Sequence, residues 1–409
     1  MYVSKKIVSL CVVAALLFTA LFAGCARRKE KAPEAAAYER TDGTGSVSSK
    51  EAPLPQTHTY SGFTEEEGER YNEIAENYGA AAVQMAVLDG NDIKTFCWGY
   101  ADKAERRPVT DDTKYRVASL SKLVVASTVM AAAERGYINV NEDISVYFGE
   151  ECRNPSYSDT VITPSMVMTH TSSLDTSGDS VYYSGLLSSR RSYLRSMPGT
   201  QYVYSNFGYC LLPCMLERVT GAAFNDLVKE YLFSPLGIDA SYVYNELEDT
   251  SDVGVLYGSG GLSIEELSSF HSRGLGEDLT LGAGNLIISA KDYVKLLGLL
   301  THEGKDVDGE AVLSAETVEE MLTSRVSESG FDVAYGSQIQ TDVIEGQTVY
   351  VHTGSAYGMY SAYVFDPVSK RAVVVLTTGE ERLADDNGVY ALCLELIREV
   401  WNSGMAGKT

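Results

Sequence analysis

The spacing of apolar and polar positions changes character several times along this chain. An uncharged apolar run from Ile7 to Ala23 follows Lys5 and Lys6 and stops at Gly24-Cys25. Residues 26–60 then carry almost no large apolar side chains. They are rich in Ala, Ser, Gly, Pro, Lys and Glu, include Pro33, Pro53 and Pro55, and cannot bury a core. A folded body is predicted from about Gly62. It opens with a helix over Thr64 to Tyr78, started by the capping pair Thr64 and Glu67. Ala82 to Leu88 and Ile93 to Tyr100 alternate or run apolar around Asp89-Gly90-Asn91, which predicts a hairpin. Leu120 to Glu134 reads as a helix rich in Ala, Val, Leu and Met. From about 150 to 275 the pattern is helical segments and loops, with Pro164, the turn Pro198-Gly199 and the amphipathic set Phe224, Leu227, Val228, Tyr231 and Leu232. Strand patterns return at Val333 to Val343, Thr348 to His352, Tyr360 to Phe365 and Arg371 to Thr378, and a helix from Asn387 to Trp401 follows. Strands at both ends with helices between them predict an α/β domain over 62–405, one sheet built from both ends with a helical region inserted at about 150–275.

The chain has 409 residues and a formal net charge of -23. That surface repels phosphate backbones, so nucleic acid is not an expected partner. The N-terminal run has the layout of an export signal, and its length also suits an uncleaved membrane anchor. Its ending, Leu21-Phe22-Ala23-Gly24-Cys25, resembles a bacterial lipoprotein signal. On that resemblance residues 1–24 are removed, Cys25 takes the lipid, residues 25–61 are a tether, and the body sits outside the cytoplasm, anchored through the lipid to the bacterial cell membrane. Residues 26–60 hold six Lys+Arg and five Asp+Glu, so the negative charge belongs to the body. Cys97, Cys152, Cys210, Cys214 and Cys393 have no regular spacing and form no disulfide framework. Cys210 and Cys214 lie four apart on one helix face, but no His is near enough in sequence to complete a metal site, so both read as buried small residues.

Lys122 is the only charged residue between Arg116 and Glu134. A helix this apolar is buried, and a buried ammonium is costly unless paired or neutralised. Ser119 shares its helix face at i-3. A desolvated amine beside a hydroxyl can take its proton and activate it, and a serine opening a helix aims its own N–H where an oxyanion would form. The bland alternative is a chance Ser-x-x-Lys with a snorkelling lysine. Two further constellations stand beside it: Tyr204-Ser205-Asn206 at the start of a helix, and His352-Thr353-Gly354 at the end of a strand. Tyr204 can relay a proton, Asn206 can bond a substrate amide, and His352 and Thr353 can hold an acidic or carbonyl group.

Ser-x-x-Lys, Tyr-x-Asn and His-Thr-Gly in this order resemble the three signatures of the serine β-lactamases and penicillin-binding proteins, in the branch of the class C β-lactamases and D-alanyl-D-alanine carboxypeptidases. The resemblance covers about residues 64–400. It extends to Ile162-Thr163-Pro164, Thr169-His170-Thr171-Ser172, Ser234-Pro235-Leu236-Gly237 and Gly282-Ala283-Gly284-Asn285-Leu286. It implies a β-lactamase/transpeptidase-like α/β (α+β) fold, an antiparallel sheet flanked by helices. It further implies an acyl-serine mechanism without metal or other cofactor, on a β-lactam, a D-Ala-D-Ala peptide or an ester. Ser119 would be the nucleophile, Lys122 its base and Tyr204 the proton donor to the leaving group and later the activator of water. Asn206 would orient the substrate, His352, Thr353 and Gly354 would form the wall strand, and Ser355 would supply the second oxyanion N–H. His352 stands where class C β-lactamases have Lys, which favours a peptidase or esterase over antibiotic hydrolysis. Ser173 and Asn285 stand where the family often has Gly, with only local turns expected to differ, and His170 reads as structural. A rival from another class is a non-catalytic lipoprotein that binds cell-wall peptides or a solute.

Overall fold

The structure, a computed structural model, describes residues 57–406 apart from 176–186, 188, 259, 271–273 and 381–387. The expected signal, Cys25 and all but the last residues of the expected tether lie outside the described residues.

The described residues form twelve strands, numbered in chain order: β1 His58–Ser61, β2 Ala82–Asp89, β3 Asp92–Asp102, β4 Arg107–Pro108, β5 Tyr115–Arg116, β6 Ile287–Ile288, β7 Val326–Glu328, β8 Phe331–Ala334, β9 Ser337–Ile344, β10 Gln347–Ala356, β11 Met359–Asp366 and β12 Arg371–Thr378. Ten form one antiparallel sheet in the order β1-β3-β2-β12-β11-β10-β9-β8-β7, with β4 on β3, while β5 and β6 pair separately. The N-terminal hairpin β2–β3 joins the C-terminal meander through β2 and β12, in register from Ala82 opposite Thr378 to Asp89 opposite Arg371. The expected joining of the two ends in one sheet, with the helical region between, is what the chain does.

Both faces of that sheet are covered. Along β12, Ala372, Val374 and Leu376 enter one core while Val373 and Val375 enter the other. The period of two thus feeds two layers, as a sheet buried on both faces requires. The second core is closed by the helices Glu65–Asn77 and Ala391–Ala406, through Tyr71, Ile74, Leu396, Ile397 and Trp401. The first core is closed by the helices Ser121–Glu134, Asn206–Thr220 and Ala290–Thr301. Thr64 and Glu67 make the expected capping box.

Four boundaries differ from the sequence reading. The body begins at β1, not at Gly62, because His58 to Ser61 pair along β3 from Trp98 to Thr95; backbone pairing orders a stretch too polar to show an apolar signal. The expected strand Val333 to Val343 is two strands, since Tyr335-Gly336 forms a tight turn with Ala334 opposite Ser337. Gly336 there has φ 75°, and a Cβ on it would lie 2.8 Å from Leu123 Cα. β10 runs past His352 to Ala356, so the His-Thr-Gly stretch is inside a strand. The last helix covers Ala391–Ala406, starting where Leu394 N–H bonds Tyr390 C=O, so its expected first turn from Asn387 is not helical at the described residues 388–390.

The two layers meet at one tight crossing. Gly354 of β10 faces the turn Ala118–Leu120 so closely that a Cβ would sit 2.4 Å from Ser361 Oγ, 2.7 Å from the Val117 carbonyl oxygen and 3.1 Å from Ser119 N. Ser361 Oγ donates to that same carbonyl at 3.1 Å. Gly354→Ala is therefore expected to destabilise the fold by about 1–3 kcal/mol through overpacking. Thermal unfolding followed by circular dichroism checks this, and an unchanged midpoint would contradict it.

Candidate active site

Ser119 lies in a single 3-10 turn, Ala118–Leu120, that leads into the helix Ser121–Glu134. Several bonds fix that turn. Ala118 has φ 51°, a region costly for a residue with a Cβ, and its carbonyl accepts from Ser121 Oγ at 2.7 Å. Ser121 Oγ in turn accepts from Leu286 N–H at 3.1 Å, and Tyr293 Oη donates to the Leu120 carbonyl at 2.8 Å.

Every residue from Ser121 to Ala132 is buried, and Lys122 has 0% exposure. Its Nζ lies 3.1 Å from Ser119 Oγ and donates to the Ala283 carbonyl at 2.6 Å. Neither partner is an anion. Burial therefore dominates and pushes the amine down to about 7; Cys210 opposes this and the nearby Arg116 guanidinium adds to it. At neutral pH a large share of Lys122 is an uncharged amine with a lone pair available to the Ser119 hydroxyl.

Tyr204 stands on the other side of Ser119 and shares a hydrogen bond with it, while Lys122 Nζ lies 5.0 Å from the Tyr204 ring centroid. Burial raises the Tyr204 phenol to about 12, so it is an O–H group and not a phenolate. The start of the helix Asn206–Thr220 sets its position. Ser205 caps that helix by accepting from Gly208 N–H at 3.0 Å, and Ser205 N–H donates to His170 Nδ1 at 3.0 Å. Because Nδ1 accepts, the neutral His170 ring carries its hydrogen on Nε2. The ring lies 4.4 Å from the Tyr204 ring, and its pKa is held well below the usual histidine value by burial and by Lys122 and His352. His170 thus has the structural role expected, and it is a specific one: it carries the Tyr204-Ser205-Asn206 turn.

β10 forms the opposite wall. His352, half-buried, lies 6.1 Å from the Tyr204 ring, and its Nδ1 is 2.7 Å from the Thr353 carbonyl oxygen. Burial first, then Lys122, push its pKa down to about 4 against that bond. Ser119, Tyr204 and Asn206 from the helical layer face His352, Thr353 and Ser355 of the strand across an open cleft of about 440 Å³, rimmed by Tyr202, Gln338 and Tyr390. Every predicted site residue of the body is therefore in one place, seven at the cleft or beneath it and Gly354 at the layer crossing.

Sequence reading missed what stands behind the lysine. Arg116 is buried and donates from Nη2 at 2.5 Å and Nε at 3.2 Å to Asn285 Oδ1. Its guanidinium also lies 4.5 Å from the Tyr357 ring. Asn285 was expected to affect only a local turn. Instead its side chain ties Arg116 to the segment whose Ala283 carbonyl holds Lys122. No spacing signals this, because Arg116 and Asn285 meet only through the β5–β6 pairing of Arg116 with Ile287. Ser173 does fit its place, adopting φ 60°. Cys210 and Cys214 are buried free thiols, as expected.

A mixed sheet-and-helix fold with a buried lysine against a serine at the mouth of a cleft defines the class of the acyl-serine hydrolases. The chain belongs to the Beta-lactamase family, whose model matches residues 66–395. It is 30% identical over 179 residues to the D-alanyl-D-alanine-carboxypeptidase/endopeptidase AmpH of Escherichia coli (strain K12), over 40% of this chain and 46% of that protein, so it spans about half the length of that relative. It is 24% identical over 327 residues to penicillin-binding protein 4 of Amycolatopsis lactamdurans, covering 76% of this chain and 84% of that one. In fold it resembles a class C beta lactamase from Rhodobacter sphaeroides with a TM-score of 0.67 and 16% identity, covering 84% and 100% of the two chains.

The burial of Lys122 has a measurable sign. An amine with its titration point moved from 10.5 to about 7 makes the folded state bind fewer protons than the unfolded state between those values. Lys122 therefore destabilises the fold in full below pH 7, and the penalty disappears as pH rises toward 10.5. Lys122→Met is expected to raise the unfolding midpoint at pH 7, with the gain shrinking as pH approaches 10. Denaturant titrations at three pH values check this, and a variant less stable than the parent at pH 7 would contradict it.

Proposed function

We propose that this protein hydrolyses an amide or ester through an acyl intermediate on Ser119. The observation that carries the reading is the Lys122 amine, fully buried without an anionic partner and 3.1 Å from Ser119 Oγ. The amine takes the hydroxyl proton as Oγ bonds the substrate carbonyl carbon. The oxyanion settles against the N–H groups of Ser119 and Ser355. As the bond to the leaving group breaks, that group takes a proton from the Tyr204 hydroxyl, which is replenished from Lys122. Water then attacks the acyl carbon, its proton returns through Tyr204 and Lys122, and Ser119 is released. Asn206 and Thr353 orient the substrate from the two sides of the cleft.

Within the family we place the protein with the peptidase-like and esterase-like hydrolases and not with antibiotic-degrading β-lactamases. The uncharged His352 supports this, since a cation there would hold the carboxylate of a β-lactam. The N-terminus we read as a lipoprotein signal, on Gly24-Cys25 after an apolar run, so that the enzyme works outside the cytoplasm on a membrane tether.

An activated ester is expected to leave an acyl adduct on Ser119, located by mass spectrometry of peptides, and Ser119→Ala to leave none. The acylation rate is expected to fall as pH drops below about 7, where Lys122 gains its proton. A flat rate through that region would remove Lys122 as the base. For the anchor, the full-length chain expressed in a bacterial cell is expected to incorporate labelled palmitate and Cys25→Ser to lose the label; equal labelling of both would overturn it.

A further inference from the structure

His352 meets the cleft with one ring nitrogen committed and the other open. Nδ1 lies 2.7 Å from the Thr353 carbonyl oxygen, and a carbonyl offers only lone pairs, so Nδ1 carries the hydrogen. An ordinary imidazole is already mostly uncharged at neutral pH, and burial beside the Lys122 amine holds this one at about 4. Nε2 is then a bare lone pair. No hydrogen bond to it is found among the described residues. Around the ring stand the Lys122 amine, the His170 imidazole and the hydroxyl-bearing rings of Tyr204 at 6.1 Å and Tyr363 at 6.3 Å.

The neighbouring wall has the same character. Gln338 Oε1 accepts from Gln340 Nε2 at 2.8 Å, and the Gln338 amide nitrogen points toward Tyr202 Oη at 3.5 Å. Among the described residues that line the cleft, no side chain is ionised at neutral pH. The chain as a whole carries -23, so its long-range field also works against an approaching anion.

We propose that the β10 side of the cleft receives an uncharged hydrogen-bond donor of the substrate, an amide N–H or a hydroxyl, on His352 Nε2, and that a carboxylate at that place is disfavoured. A carboxylate would set its lone pairs against the lone pair of Nε2 with no cation among the side chains that line the cleft to offset the loss of water; a carboxamide or hydroxyl would pair with it. This rests on the acyl-serine reading and narrows its substrates to neutral amides and esters. Amidated or internally cleaved peptides fit, and peptides ending in a free carboxylate beside the scissile bond do not.

The test uses the full-length protein and two phenylacetylglycine aryl esters that differ in one group, with 3-hydroxybenzamide or 3-hydroxybenzoate as leaving group. The carboxamide ester is expected to have the higher kcat/KM by about tenfold, the scale on which a site discriminates for one polar contact. His352→Lys is expected to reverse that preference while both esters still acylate Ser119. Equal rates for the wild-type protein, or a preference for the benzoate, would overturn the proposal whether or not the variant folds. Absence of an adduct on Ser119 with either ester would instead overturn the hydrolase reading, and the mass of Ser119 peptides tells the two failures apart.

Discussion

An amine without a counter-ion sits in the core of this protein, and the arrangement around it depends on that fact. Moving the Lys122 titration point from 10.5 to about 7 corresponds to roughly 5 kcal/mol, at about 1.4 kcal/mol per pH unit. That is comparable to the whole net stability of many domains. It can be tolerated only because the helix Ser121–Glu134 is buried over nearly its whole length and the two cores on either side of the sheet are large. The same burial that makes the lysine costly makes it basic in the useful sense, an uncharged amine with a lone pair beside a hydroxyl. Stability and chemistry are therefore opposed at this residue.

The rest of the site holds that amine in place. The Ala283 carbonyl takes one N–H, and Arg116 through Asn285 braces the segment from which that carbonyl projects. Arg116 also adds a buried positive charge that disfavours a second one on Lys122. From the other layer, Gly354 lets β10 approach until the strand touches the Ala118–Leu120 turn, which brings His352, Thr353 and Ser355 to the cleft. His170 bonds the backbone of Ser205 and so fixes Tyr204. Serine and amine, phenol, and strand edge come from three distant parts of the chain, and the sheet joining both ends of the body is what makes their meeting possible.

Much of this is legible in the sequence alone. The solitary Lys122 in an apolar helix, with Ser119 one turn earlier, announced both burial and its consequence. The apolar runs of β2, β3, β11 and β12 stand out because both faces of the sheet are covered. What was not legible has physical reasons. β1 is ordered by backbone pairing along β3, which has no apolar signature. The break between β8 and β9 falls inside a continuous strand-like pattern, where only Gly336 hints at a turn. Arg116 and Asn285 lie 169 positions apart and meet through tertiary pairing alone. His352 could be read as neutral from its type, but the tautomer that leaves Nε2 open is set by the Thr353 carbonyl and shows only in the folded chain.

The charge state of Lys122 can be observed directly. With lysines carrying carbon-13 at the ε position, the Lys122 resonance, assigned by its absence in Lys122→Met, can be followed by NMR across pH 5 to 11. The account predicts a titration near pH 7, well separated from the other lysines. A Lys122 signal that titrates with them, near the ordinary value of about 10.4, would contradict it.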